Sequence, residues 1–232
     1  MSVPIFNQVC LDPTLVEGIY NTCDQWCMYC PATARCLVFR CSPEIASGKH
    51  DIYKRLADRM YEGMEFIKRQ HEAESKPSPE LDEMLANDVR TNASLPQVND
   101  PLERMARRYA HASRAYLVTR RDYPCEIVWR ASGPTPVDVF AWFHTLIAVK
   151  IYRALAASAL VARGTESRKK DVLCSAKVAL IGIDRSLDAL AAIACDDVDA
   201  RVELLQGHLR RLKREVSARF PEARAVVREG LE

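Results

Sequence analysis

Along this chain, apolar side chains recur every three or four residues, the period of a helix face rather than a strand. Ile52, Leu56, Met60, Met64 and Ile67 make one such stripe, and Leu102, Met105, Tyr109, Ala112 and Tyr116 make another. Prolines bound the stripes. None falls from Glu44 to Lys76, from Leu102 to Tyr123, or from Val137 to Phe220. Proline breaks helix interiors, so these intervals are where long helices can run. Gly164-Thr165-Glu166-Ser167 and Cys195-Asp196-Asp197 divide the last interval twice. The pattern predicts helices near 44–74, 101–121, 136–162, 169–194 and 197–219, with shorter ones near 13–30 and 80–90. Asp100-Pro101 reads as an N-cap and first-turn pair. Pro77, Pro79 and Pro96 make the stretch between Lys76 and Pro101 a connection. Glu126-Ile127-Val128-Trp129 is the one short strand-like run. The expected fold is all-α. It is a multi-helix bundle of about five long helices (residues 44–232), with a short Cys-rich N-terminal helical appendage (residues 1–43) packed on it to form one globular unit.

Composition narrows this further. Glycine is scarce, 8 of 232 residues, against a usual share of about 7%. No GxGxxG or GxxxxGK[ST] occurs, which disfavours folds built on glycine-rich phosphate loops. A net charge of +2 excludes only extreme polycations and polyanions. Met1 to Gln8 lacks a basic region followed by an unbroken apolar one, so no secretory signal is expected. The most apolar stretch, Val137 to Ala162, is interrupted by Asp138, Lys150 and Arg153, and is expected to be a buried helix rather than a membrane span. The expectation is a cytoplasmic protein with no membrane partner, open to a protein partner or self-association. Thiols stay reduced in that compartment, so nine cysteines suggest metal or redox chemistry more than disulfides.

Five of the nine fall in one segment, with Cys23, Cys27, Cys30, Cys36 and Cys41 spaced C-x3-C-x2-C-x5-C-x4-C. A helical turn would stack Cys23 and Cys27 on one face, with Cys30 further along it. Pro31 then disfavours helix at Cys30 and starts a new direction. Cys36 returns as a fourth ligand, with Cys41 in reserve. Four thiolates within this span suit a [4Fe–4S] cluster or a tetrahedral zinc. A structural zinc contributes about 10–16 kcal/mol of apparent binding energy, enough to fold a segment too short for its own core. The turn lacks the glycine of a zinc knuckle, and Cys30-Pro31 matches the Cys-Pro ending of bacterial ferredoxin motifs, so iron–sulfur is the favoured metal. Trp26, Met28 and Tyr29 are expected to supply the apolar shell. The alternative is a set of reduced, metal-free thiols packed in a helical cap. Cys10, Cys125, Cys174 and Cys195 are scattered, with the last two in apolar helical contexts.

Cys23, Cys27, Tyr29 and Cys30 also form C-x3-C-x-aromatic-C, which is similar to the signature of the radical S-adenosylmethionine family. The resemblance spans eight residues. It implies three cysteines on a [4Fe–4S] cluster whose open iron chelates the cofactor, carried on a β/α barrel. The chain's pattern has neither the alternating strands nor the glycine-rich strand after the motif. The extra Cys36 and Cys41 point to a closed site instead.

Two further features carry candidate chemistry. The apolar helices 136–162 and 169–194 carry charges, and an antiparallel hairpin turning near Glu166 would set Lys150 level with Asp184 and His144 level with Asp188. A lone buried charge is costly, so these are expected to pair across the hairpin. As an enzyme site they would floor a pocket, with His144 as acid–base and Lys150 as electrophilic stabiliser. Secondly, Arg104, Arg107, Arg108, Arg114, Arg120 and Arg121 stand together with no acid among them, and a second basic run lies at 208–214. These invite a nucleic-acid- or protein-interaction reading. The acidic stretch from Glu62 to Asp88, with eight acids and three bases, is the neighbour that would neutralise them. A di-iron carboxylate bundle is not supported, because no Glu-x-x-His occurs.

Overall fold

The computed structural model describes residues 12–16, 18–41, 98–120, 130–162, 164, 168–196 and 199–232. The expected helices near 44–74 and 80–90, the run Glu126–Trp129, the acidic stretch, Cys10 and Cys125 all lie outside the described residues, as does the side chain of Cys41. Within the described residues the protein is mostly helical and has no strand, as an all-α bundle requires. The β/α barrel implied by the eight-residue resemblance is therefore absent from them.

Two short helices, α1 (Ile19–Thr22) and α2 (Leu37–Cys41), belong to the N-terminal segment. Four long ones follow: α3 (Pro101–Leu117), α4 (Pro136–Val161), α5 (Lys169–Asp196) and α6 (Ala200–Arg219). The long helices begin where local chemistry says they should. The Asp100 carboxylate accepts from Leu102 N at 2.7 Å ahead of Pro101. Thr135 and Asp138 form a capping box at the start of α4. Asp199 caps α6 by accepting from Arg201 N at 2.8 Å.

The core lies around α4, which packs along α5 and against α3. Phe140, Phe143, Ile147, Ile151 and Ala154 of α4 meet Ala176, Ala179, Leu180, Ile183 and Leu190 of α5 in one buried cluster. Gly182 lets the two helices close. A Cβ there would lie 2.9 Å from Phe143 Cδ1 and 3.0 Å from Ile147 Cγ1. This helix pair is where two sequence expectations fail. Gly182 against Phe143 and Ile147, with Arg153 bound to Asp171 at 2.9 Å, sets a register more than one helical turn away from the expected one. Lys150 therefore does not meet Asp184, whose carboxylate binds Lys213 at 2.7 Å and Arg224 at 3.0 Å. His144 does not meet Asp188, which is exposed. Its Nδ1 donates to the Ala141 carbonyl at 2.6 Å, and its buried Nε2 has no partner.

α4 is also the one described helix long and apolar enough to cross a membrane by length and composition. Here it packs in the bundle, with Asp138, His144 and Lys150 buried.

Candidate metal centre

The cysteine segment is not the helix that its spacing suggested. α1 stops at Thr22, Cys23 is extended, and Gln25 takes a left-handed conformation at φ 58°. Single 3-10 turns then cover Cys27–Tyr29 and Thr33–Arg35, with Cys30 and Cys36 extended after them. A continuous helix over 13–30 is thus replaced by tight turns. Gln25 is the one described non-glycine residue at positive φ, a conformation that such residues seldom adopt. Its effect is local and chemical. The Gln25 N–H is turned onto Cys23 Sγ at 3.3 Å. Backbone donors aimed at sulfur favour the thiolate form.

These turns, rather than one helix face, gather the cysteines. Cys23, Cys27, Cys30 and Cys36 all line a single small cavity, with about 20 Å³ open to the centre of a water-sized sphere. Ile19, Trp26, Phe39 and Leu231 supply the rest of its apolar lining, and Asp24, Gln25 and Thr33 also border it. Trp26 was expected there. Met28 and Tyr29 instead pack on the main core, and Tyr29 Oη accepts from Arg130 N at 3.1 Å. Phe39 was missed although it follows Cys36 by three residues. Leu231 carries no local signal at all, because it arrives from the far end of the chain.

Several contacts hold this segment onto the bundle. Trp26 is only 4% exposed and packs edge-on against Tyr29 and Phe143. Trp142 Nε1 donates to the Asp24 carbonyl at 3.0 Å, and Arg185 binds the Asp24 carboxylate at 2.8 Å. The C-terminal tail closes the other side. Lys177 binds the Val226 carbonyl at 2.7 Å and the Glu232 carboxylate at 2.5 Å. Gly230, at φ 78°, passes so near that a Cβ would lie 2.9 Å from Val16 Cγ2.

Burial raises Cys23, Cys27 and Cys30 above the ordinary thiol value, with Cys27 pushed up to about 12. A thiol so raised is protonated at neutral pH and unreactive without a cation to hold its thiolate. All six described cysteines with described side chains are free; Cys174 is buried and Cys195 exposed, both away from the cavity. Among the described residues, no three His, Cys, Asp or Glu side chains already stand close enough about one point to hold a metal ion. The four cysteines line one cavity without forming such a group. Thiols are the donor type that soft metals and iron–sulfur clusters take, and the Cys23 sulfur accepts a backbone N–H from Gln25.

The other candidates are not brought together. Lys150 is buried and donates to the Asn21 carbonyl at 3.3 Å, His144 faces its own helix, Asp184 is bound by Lys213 and Arg224, and Asp188 is exposed. The basic residues lie on two adjoining helices. Arg104, Arg107, Arg108 and Arg114 of α3 are exposed, as are Arg210, Arg211 and Arg214 of the adjoining α6. No protein-family model, no curated protein and no solved structure matches this chain.

Proposed function

We propose that this chain is a metal-binding helical protein in which Cys23, Cys27, Cys30 and Cys36 hold an iron–sulfur cluster with a structural or electron-transfer role. The observation that carries the reading is the convergence of all four cysteines on one apolar cavity from turns rather than from a helix face. Chance burial of a cysteine needs no such company. The Cys30-Pro31 step, the absence of a glycine knuckle and the water-excluding wall of Trp26, Phe39 and Leu231 favour iron–sulfur. The small size of the cavity is the specific point in favour of zinc. Either group, when bound, would fasten the N-terminal segment and the C-terminal tail to α4 and α5; an iron–sulfur cluster would add one-electron chemistry. The reduced thiols are consistent with a cytoplasmic setting.

Elemental analysis of anaerobically purified protein tests this directly. Iron with sulfide and a brown absorbance near 400 nm is the expected result, lost in Cys27→Ser and Cys30→Ser. One zinc per chain would change the metal and keep the site. Protein that retains neither metal after reconstitution would leave the cysteines as packed thiols.

The exposed arginines of α3 and α6 favour a second reading, a nucleic-acid-binding face. Arg108, Arg114, Arg211 and Arg214 have no carboxylate partner among the described residues. Binding of this kind is carried by phosphate contacts and weakens with salt. A gel shift that disappears as salt is raised is the expected signature; no shift at low salt removes the reading.

A further inference from the structure

The cysteine cavity is lined by the N-terminal segment with one exception. Among the described residues that border it, Leu231 alone comes from elsewhere in the chain. It packs on a small apolar cluster of Ile19, Ala32 and Cys36, separate from the main core. Cys36 is the most enclosed of the four thiols. It is buried, whereas Cys23, Cys27 and Cys30 are half-buried. The least accessible thiol is therefore covered by a residue of the C-terminal tail.

The tail itself is lightly held. Residues 225–232 form turns and irregular backbone, and none of them is buried. The fastening comes from α5. Lys177 reaches both ends of the tail, the Val226 carbonyl at 2.7 Å and the Glu232 carboxylate at 2.5 Å, and Lys170 binds Glu229 at 2.6 Å. Arg228 adds a bond to Glu232 at 2.9 Å within the tail. Gly230 lies close on the N-terminal segment because it has no side chain. At its φ of 78°, a Cβ would stand 2.9 Å from Val16 Cγ2 and 3.2 Å from Ile19 Cδ1. A segment with little buried apolar surface, held by partly exposed polar contacts, opens locally while the rest stays folded. Opening here lifts Leu231 and uncovers Cys36.

We propose that residues 225–232 are a strap that controls access to the cysteine cavity, latched to α5 by Lys177 and seated over Cys36 by Leu231. The strap sets when the fourth thiol can be reached, whatever the thiols then react with or bind. It goes beyond the metal reading and does not depend on it.

The test is alkylation of full-length, reduced protein, stripped of metal with a chelator, by N-ethylmaleimide. Labelling is read cysteine by cysteine by mass spectrometry, and hydrogen exchange of the α4 amides is followed in parallel. When reclosing is fast, the rate at Cys36 tracks the open population of the strap. The exposed Cys195 is the internal control. K177M removes the latch and should label Cys36 about 10-fold faster, the effect on an opening equilibrium of losing a charge-assisted hydrogen bond. K177R, which keeps the charge, should stay nearer wild type. G230A should speed Cys36 by forcing the strap off Val16, and L231A by thinning the cover, while L231M should retain it. Cys195 and the α4 amides should keep their wild-type rates throughout. If one variant fails to fold, the other two decide the matter. Equal Cys36 rates in wild type, K177M, G230A and L231A overturn the strap. Faster Cys36 labelling that comes with faster α4 exchange overturns it as well, because general loosening then accounts for the access.

Discussion

The indole of Trp26 lies parallel to that of Trp142, with ring centroids 5.4 Å apart and planes inclined by 10°. This stack joins the middle of the cysteine segment to the outer edge of α4. It also ties the wall of the cavity to α4, the helix at the centre of the core. Trp26→Ala should cost about 3–5 kcal/mol, as removal of a buried aromatic does. It should also lower metal occupancy, whereas Trp26→Phe should retain most of both. Denaturant unfolding and metal content of the two variants provide the check. Full occupancy in Trp26→Ala would separate the wall from the site.

Metal binding should release protons. Burial, then the neighbouring Cys23, Cys36 and Cys30, hold the Cys27 thiol at about 12, so it is neutral at pH 7. Zinc added to weakly buffered metal-free protein should acidify the solution by up to about four protons per ion. The same shift makes a stability statement for the metal-free protein. A raised pKa contributes stability that is present below the unfolded value of 9.0 and is lost as pH rises towards 12. Metal-free wild type should therefore weaken above pH 9 more than metal-free Cys27→Ala.

His144 makes the opposite prediction at the acid end. Burial lowers its pKa below the ordinary 6.5. The folded protein then stays neutral at His144 while the unfolded chain takes up a proton. Stability is full above 6.5 and falls as pH drops from 6.5 towards the folded value, by up to about 1.4 kcal/mol per pH unit. The urea midpoint should fall between pH 7 and pH 5 in wild type. His144→Leu should shrink that fall, and it also removes an Nε2 that is buried without a partner. An identical pH dependence in the variant would place its origin elsewhere.

Gly182→Ala tests the closest approach of α4 and α5. Alanine favours helix by about 1 kcal/mol over glycine. The added Cβ must displace the Phe143 ring and Ile147, and overpacking of this kind costs about 1–3 kcal/mol. The net expectation is destabilisation, read as a lower melting temperature. A stabilised variant would mean that the ring can move aside.

Much of the helical architecture was legible because its signals are local. Asp100-Pro101, Thr135-Pro136 and the break after Cys195 act over a few residues, and the helices start and stop close to where those residues put them. That the four cysteines gather around one cavity was legible too, because residues between Cys23 and Cys36 cannot lie far apart. Its geometry was not. The spacing of Cys23 and Cys27 fits a helical turn, yet the extended Cys23 and the left-handed Gln25 build the site another way. Nothing in a three- or four-residue spacing distinguishes a helix from successive tight turns.

The sequence by itself determined the all-α character of the described chain, the limits of its long helices and the identity of the four candidate ligands, since these follow from proline placement, caps and chain proximity. Tertiary structure decided everything that depends on how one helix is set against another. The contact at Gly182 sets a register that takes Asp184 away from Lys150 and gives it to Lys213 and Arg224. Lys150 instead reaches the Asn21 carbonyl, and Leu231 arrives from the far end of the chain to line the cavity. Helix rotation and register come from the summed shape of many buried side chains, so no short stretch of sequence carries them.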